Sequence, residues 1–171
     1  MSNPVIEQNS NLLQSAKFAI SFSRIPNFTF YCQTATLPGI GVNDTPQSTT
    51  FVDIHRSGNK AYYNPWRATV LVDENMRSWF EIHNWVRGLT LATGFTTPNL
   101  SVPSLTTPTD RYSDGTLLVL NNANVPNIKV QMYDMFPSTF TDLQFDTRHG
   151  PDDVLTFGVN FWYTYYDPLQ M

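Results

Sequence analysis

The chain has 171 residues and a formal net charge of −4, with 41% hydrophobic and only 14% charged residues. Its length fits one domain over residues 1–171, and its low charge implies a large uncharged surface suited to burial against partners. The sequence has no run of Lys or Arg, which argues against tight binding of a nucleic-acid backbone. No apolar run approaches the roughly 20 residues of a membrane-spanning helix, so membrane insertion is not expected.

The first quarter of the chain is predicted to form a β-hairpin. Residues 1–15 lack the basic and apolar blocks of a signal peptide, and we expect a flexible segment there. Apolar and polar residues alternate at 18–22 and again at 28–34, as in two half-buried strands that pair antiparallel. Cys32 falls on the apolar face of the second strand, where it is interpreted as a small hydrophobic residue.

The middle of the chain is predicted to contain a long loop, a strand and one helix. Residues 41–64 are punctuated by Asn, Asp, Pro and Gly, and a loop of this length is usually functional. Alternation at 66–72 predicts a strand, after which Asp73 is placed as the N-cap of a helix over 74–91. Residues 95–110 are rich in Pro and Thr and are predicted to be an extended connection.

Three further strands are predicted in the C-terminal part, at residues 116–120, 128–133 and 154–166. In the last strand, Phe157, Val159 and Phe161 share one face by their alternation. Many strands and one helix predict a mainly β fold, an antiparallel β-sandwich or barrel with one flanking α-helix.

Signals of catalysis or metal binding are weak. His55, His83 and His149 lack the spacing of a zinc site, and nucleophile and phosphate-loop motifs are missing from the sequence. An enzyme is therefore disfavoured, and we expect no cofactor and no metal. The densest polar cluster is interpreted as a solvated turn; it contains Asp142, Asp146, Arg148, His149, Asp152 and Asp153.

Several segments together resemble the tail tube proteins of contractile-tailed bacteriophages. The first is the 28–39 stretch, which ends in Leu-Pro-Gly, and the second is the 66–72 strand with the amphipathic stretch after it. Three C-terminal segments, at 128–132, 135–137 and 156–163, resemble that family's strand, aromatic-Pro turn and closing strand.

The resemblance implies a structural virion protein that forms homohexameric rings stacked into the inner tail tube, through which DNA is delivered. It implies synthesis in the host cytoplasm and partners that include other copies of the chain, the tail sheath protein, a baseplate or tube initiator and a tail terminator. The tape measure protein and DNA would pass through the lumen without specific binding. Within the loop at 41–64, it implies an inter-ring stacking role for Asp53, His55, Arg56, Asn59 and Lys60. A subunit-edge strand is expected at Phe157, Val159, Asn160 and Phe161.

Alternatives remain at this point. Within the same fold group, the chain could be a tube-initiating baseplate protein or a type VI secretion tube subunit. A carbohydrate-binding β-sandwich is a different class, suggested by aromatic residues that could stack on sugars: Tyr62, Tyr63, Trp66, Tyr165 and Tyr166. For a tube, the net charge of −4 predicts a neutral to acidic channel that does not retain DNA.

Overall fold

The computed structural model describes residues 12–22, 24–90, 111–148, 150 and 153–171. This part of the chain is mainly β, as predicted, with nine strands and two helices. The strands are β1 (Phe18–Phe22), β2 (Cys32–Ala35), β3 (Ile40–Ser48), β4 (Asp53–Tyr63), β5 (Trp66–Leu71), β6 (Ser113–Leu120), β7 (Pro126–Phe140), β8 (Thr156–Trp162) and β9 (Tyr165–Gln170), and the helices are α1 (Pro26–Tyr31) and α2 (Arg77–Leu89). The connection predicted at 95–110 and most of the segment predicted at 1–15 lie outside the described residues.

Seven strands form one antiparallel sheet in the order β1-β6-β7-β8-β5-β2, and β9 also pairs with β7. The long strand β7 belongs to both halves of this sheet, because its first part pairs with β6 and β9 and its last part with β8. Between the two parts lies Asp134, whose φ of 55° is in the left-handed region. The sheet does not close into a barrel, since β1 and β2 at the two ends of the order are not paired with each other.

The core is an aromatic cluster enclosed by the sheet and the two helices. Phe161 of β8 is fully buried, and its ring centroid lies 5.6 Å from Phe22, 5.6 Å from Phe28 and 5.4 Å from Trp66. Trp85 of α2 adds a fifth ring at 6.1 Å from Phe161. Aliphatic and thioether side chains and one further aromatic residue, Phe157, fill the space around these rings. The aliphatic and thioether residues include Ile20, Ile25, Val70, Ile82, Val130, Met132, Met135 and Val159.

The prediction of a strand at 28–34 is wrong for residues 28–31, which belong to α1. Phe28 is fully buried while Phe30 is 81% exposed, whereas in a strand the two side chains would share a face. Proline stands in the first turn of α1, where its fixed φ suits a helix and its missing N–H costs nothing. The predicted hairpin is absent too, because β1 pairs with β6.

A carboxylate from α2 stabilises the start of α1. Glu81 accepts hydrogen bonds from the backbone N–H groups of Asn27 (3.3 Å) and Phe28 (3.0 Å), and from the Asn27 side-chain amide (2.7 Å). These amides have no partner within the helix, and a negative charge at a helix N-terminus is favourable. Because Glu81 is distant in sequence, local alternation could not reveal this helix.

The helix α2 is confirmed, but it begins at Arg77, and the N-cap predicted at Asp73 is wrong. Met76 occupies that position with a φ of 53°. Asp73 still contributes, since its carboxylate accepts the backbone N–H of Ser78 at 3.4 Å. The helix packs on the core through Ile82 and Trp85, which are buried.

The long strand predicted at 154–166 is two strands, β8 and β9. The chain breaks at 163–164, where the backbone N–H of Thr164 donates to the carbonyl oxygen of Tyr133. β8 pairs with the last part of β7 and β9 with its first part, so the break lies opposite Asp134, where the two parts of β7 meet. Phe157, Val159 and Phe161 share one face of β8, as predicted, and all three side chains are buried in the core.

Candidate functional site

The prediction of a loop at 41–64 is wrong, because these residues form an exposed β-hairpin. β3 and β4 pair only with each other, as a separate two-stranded sheet. Most of their side chains are exposed on both faces, so the sequence lacks the alternation that a half-buried strand would show. The ladder has an irregularity between Val42 and Asp44. Gly58 is required beside it, since a Cβ at this position would overlap the backbone carbonyl of Asn43.

The tip of the hairpin presents apolar side chains to solvent. Phe51 is 96% exposed and Val52 is 64% exposed. The turn that carries them is ordered by Thr49, whose backbone N–H donates to the carbonyl of Val52 at 3.2 Å and whose hydroxyl accepts from the Val52 N–H at 3.3 Å. An exposed aromatic side chain on an ordered turn is a candidate for contact with a partner. Sequence reasoning missed Phe51, although its position between polar stretches was a usable signal.

The five residues predicted for ring stacking all lie on β4, but they divide between the two faces of the hairpin. Asp53 and His55 share one face by strand alternation, together with Asp44 of β3, whose carboxylate is 2.7 Å from His55 Nδ1. Arg56 lies on the opposite face with Ile54. Asn59 and Lys60 are exposed and lie where the register of the hairpin shifts, opposite Asn43.

Tyrosine side chains join the base of the hairpin to the body of the domain. The ring of Tyr63 lies 5.8 Å from Tyr163 and 5.5 Å from Tyr166. The hydroxyl of Tyr163 donates to the carbonyl of Asn64 at 2.9 Å, and that of Tyr166 donates to the carbonyl of Pro38 at 3.2 Å. Burial and the two neighbouring tyrosines raise the pKa of Tyr163 to about 12, so this hydroxyl stays a donor at physiological pH.

The subunit-edge strand predicted at Phe157, Val159, Asn160 and Phe161 is a central strand of this chain. β8 pairs with β5 on one side and with β7 on the other. Three of the four side chains are buried in the core, and Asn160 points outward. The prediction is therefore wrong as to the edge, and in the seven-stranded sheet of the described residues the strands with an open side are β1, β2 and β9.

The outer face of the β2-β5-β8-β7 half is covered with short hydroxyl and amide side chains. Asn160 of β8 lies opposite Arg67 of β5, and its side-chain amide donates to the Thr139 hydroxyl at 3.0 Å. In the next row, Thr69 faces Gly158, whose N–H donates to the Thr141 hydroxyl at 2.9 Å. Further threonines on β2 and beside it, Thr34 and Thr36, extend this surface. We call it the threonine face.

A concavity of about 700 Å³ lies between the end of β7 and the start of β8. It is lined by apolar side chains, of which Phe145 is 73% and Val154 is 64% exposed, and by three carboxylates, Asp142, Asp146 and Asp153. The Arg148 guanidinium binds Asp146 through both carboxylate oxygens and holds the pKa of that carboxyl below its usual range. The solvated turn predicted here is confirmed for the described residues of the cluster, of which Asp142, Arg148 and Asp153 are exposed and Asp146 is half-buried. His149 and Asp152 lie outside the described residues.

Groups with the chemistry of a metal site are not brought together in the described part of the chain. No helix of that part is long and apolar enough to cross a membrane. Burial raises the pKa of the Cys32 thiol to about 11, in line with the predicted role as a small hydrophobic residue.

Comparison with known proteins identifies the family. The model of the phage tail tube protein family matches residues 4–168. The chain belongs to this family. The chain is also 23% identical over 169 residues to the tail tube terminator protein of Enterobacteria phage T4, with 94% of this chain and 91% of the relative covered.

Two solved structures from contractile injection systems share the fold of this chain. One is the sheath/tube terminator of the PVC extracellular contractile injection system, with a TM-score of 0.63 at 12% identity, covering 92% of this chain and 96% of that one. The other comes from the anti-feeding prophage baseplate, with a TM-score of 0.63 at 14% identity, covering 99% and 97%. The predicted family resemblance is confirmed.

The aromatic residues that suggested a carbohydrate site mostly pack against other residues of the chain. Trp66 is fully buried in the core, and Tyr63 packs against two tyrosines at the base of the hairpin. Tyr165 stacks on Tyr133 with 4.6 Å between ring centroids. Tyr62 is 52% exposed but lies on the hairpin. These positions do not form the shared aromatic platform that a sugar ring would need.

Proposed function

We propose that copies of this tail tube protein form a ring that ends a contractile tail tube, and that the protein is a structural tube terminator with no enzymatic role. The observation that carries the proposal is the similarity to the phage T4 tail tube terminator, which runs along nearly the whole of both chains. Its partners would be the last ring of the tube and the sheath around it, with the tape measure protein and DNA passing through the lumen.

The open sheet edges support ring formation. β2 ends one side of the sheet, and β1 and β9 each have one unpaired side. Exposed edges favour pairing with another chain, and a head-to-tail arrangement becomes a closed ring when its rotation closes. We expect a homohexamer, in which each edge meets the complementary edge of a neighbour.

The threonine face is our choice for the surface that lines the channel. It is built from short neutral side chains, with Arg67 as its one cation and no carboxylate among the described residues that line it. A surface of this kind gives a passing polyanion little to bind, since affinity for DNA comes largely from clustered cations. It would make the channel close to neutral, within the range predicted from the sequence.

The alternative is the repeating subunit of the tube, or its initiating ring at the baseplate. The family description favours a tube component in general, and the fold matches terminator and baseplate structures equally well. Location and copy number separate these roles, because a terminator occupies one end and a repeating subunit occupies every ring.

Absolute quantification of tail proteins in purified particles tests the proposal. Isotope-labelled reference peptides would give the copy number of this chain relative to the sheath protein. A terminator predicts one ring per tail, hence far fewer copies than sheath subunits. A copy number that matches the sheath would refute the terminator role and support the repeating subunit.

A further inference from the structure

The outer surface of helix α2 combines an exposed aromatic ring with exposed cations. Arg77, Phe80 and Arg87 are all exposed, and their spacing of three and then seven residues places them along one side of the helix. Ile82 and Trp85, which are buried, lie on the side that faces the core. The three exposed residues therefore point away from the core, and we call them the outer stripe.

Helix α1 adds a second exposed aromatic side chain to this layer. Phe30 is 81% exposed and lies on the side of α1 opposite to the fully buried Phe28. Phe80 of the outer stripe is 49% exposed. Glu81 of α2 joins the two helices through its hydrogen bonds to the start of α1. Two large exposed aromatic rings on joined helices are typical of a surface that contacts a partner.

The cations of the outer stripe have no counter-ion among the described residues. Neither Arg77 nor Arg87 forms an ion pair with another residue of the described part of the chain. The carboxylate of Glu81, on the same helix, is engaged at the start of α1. Guanidinium groups beside aromatic rings favour a partner that offers carboxylates next to apolar side chains. Two cations are too few for tight binding to a nucleic-acid backbone.

The helices and the threonine face lie on opposite sides of the same half of the sheet. Phe161 of β8 meets Phe28 of α1 and Trp85 of α2 on the core side of this half. Asn160, the preceding residue of β8, belongs to the threonine face on the other side. With the threonine face lining the channel, as proposed above, the outer stripe is directed to the outside of the ring, where a sheath would surround it.

We propose that the outer stripe, together with Phe30, is a docking surface for an acidic segment of the sheath protein. The inference rests on the proposed function, because it takes the threonine face as the channel lining and names the surface that the sheath contacts. Apolar side chains of the segment pack against Phe30 and Phe80, and its carboxylates accept hydrogen bonds from Arg77 and Arg87. Burial of the two rings supplies affinity, whereas the charges orient the segment and make the association sensitive to salt.

Charge reversal at Arg77 tests the contact, with the purified sheath protein of the same tails as the probe. Arg77→Glu should weaken binding of the sheath protein about tenfold at low salt, and Phe80→Ser should weaken it by a similar factor. Arg77→Glu should not destabilise the fold, because an acidic residue in the first turn of a helix is favourable. Arg67→Glu, on the threonine face, makes the same change in net charge and is the matched control that should bind as the wild type does. Biolayer interferometry measures binding, and circular dichroism checks that each variant is folded.

Cross-linking in assembled tails provides a second measurement that does not depend on charge. A photo-crosslinking amino acid in place of Phe80 should couple the chain to an acidic peptide of the sheath protein, whereas the same amino acid in place of Asn160 should not. The inference would be overturned by a wild-type chain without affinity for the sheath protein, or by an Arg77→Glu variant that binds it as the wild type does. A cross-link from the Phe80 position to another copy of this chain would also overturn it.

Duplex DNA serves as the competing probe. The wild-type chain should not bind it at moderate salt, and binding that Arg77→Glu abolishes would make the outer stripe a nucleic-acid contact and overturn the inference. The terminator role stands or falls separately, on copy number per tail, because a repeating tube subunit would also face the sheath.

Discussion

A substitution of Phe161 tests the placement of β8 in the core. The sequence predicts Phe161 on an edge strand, whereas the structure places it in a central strand and in the middle of the aromatic cluster. The side chain is fully buried, with four aromatic rings between 5.4 and 6.1 Å away. An aromatic side chain buries about 150–250 Å², equivalent to roughly 4–6 kcal/mol as an upper value. Phe161→Ala should therefore cost about 3–5 kcal/mol, the usual range for such a deletion.

The neighbouring residue Trp162 is the matched control for this deletion. It lies on the same strand, points to the other face and is 45% exposed. Trp162→Ala should cost about 1 kcal/mol or less. Urea unfolding of the unassembled chain, followed by far-UV circular dichroism, measures both values. Equal losses for the two variants, or a loss below about 1 kcal/mol for Phe161→Ala, would refute the placement of β8 inside the sheet.

Other predictions address the helices, the hairpin, the thiol and the channel. Glu81→Gln should lower the free energy of unfolding by about 1–2 kcal/mol in denaturant titrations, because it weakens the charged cap of α1, and an unchanged value would contradict that role. Gly58→Val should remove hydrogen-exchange protection from β3 and β4 through overlap with the Asn43 carbonyl, while the protection of β8 stays as it is. Alkylation of Cys32 at pH 8 should be about two orders of magnitude slower in the folded chain than in urea, since the raised pKa depletes the thiolate; equal rates would argue against this burial. Assembled wild-type rings should show no measurable DNA affinity at moderate salt, and Thr69→Lys should introduce salt-sensitive retention if the threonine face lines the channel.

The alternation of apolar and polar residues predicted strands correctly where one face of the strand is buried in the core. The strand predicted at 66–72 appears as β5, with Trp66, Ala68 and Val70 buried. The strands at 18–22 and 116–120 were predicted correctly for the same reason. In each, contact with the core enforces a period of two that is visible in the sequence. The strand predicted at 128–133 lies within β7, but β7 continues to Phe140, so the aromatic-Pro turn expected at 135–137 is wrong.

The failures come from interactions that a local pattern does not contain. Residues 28–31 alternate like a strand, yet Glu81 of α2 caps them as a helix. The hairpin was interpreted as a loop because both of its faces are exposed, so its strands show no apolar periodicity. The concavity depends on the relative placement of β7 and β8, which spacing along the chain did not reveal.

In the structure, the predicted site residues lie on different surfaces of the chain. The cations Arg56 and Lys60 remain candidates for a contact between subunits, whereas His55 is held by Asp44. Asn160 leaves the predicted edge and becomes part of the threonine face. The open sides of β1, β2 and β9 replace β8 as the edges available to neighbours.

Cryo-electron microscopy of intact tails tests the central claim most directly. The account predicts density for this chain as one ring at the end of the tube, with its sheet edges paired around the ring. Density for the chain in every ring along the tube, or at the baseplate end of it, would contradict the terminator role.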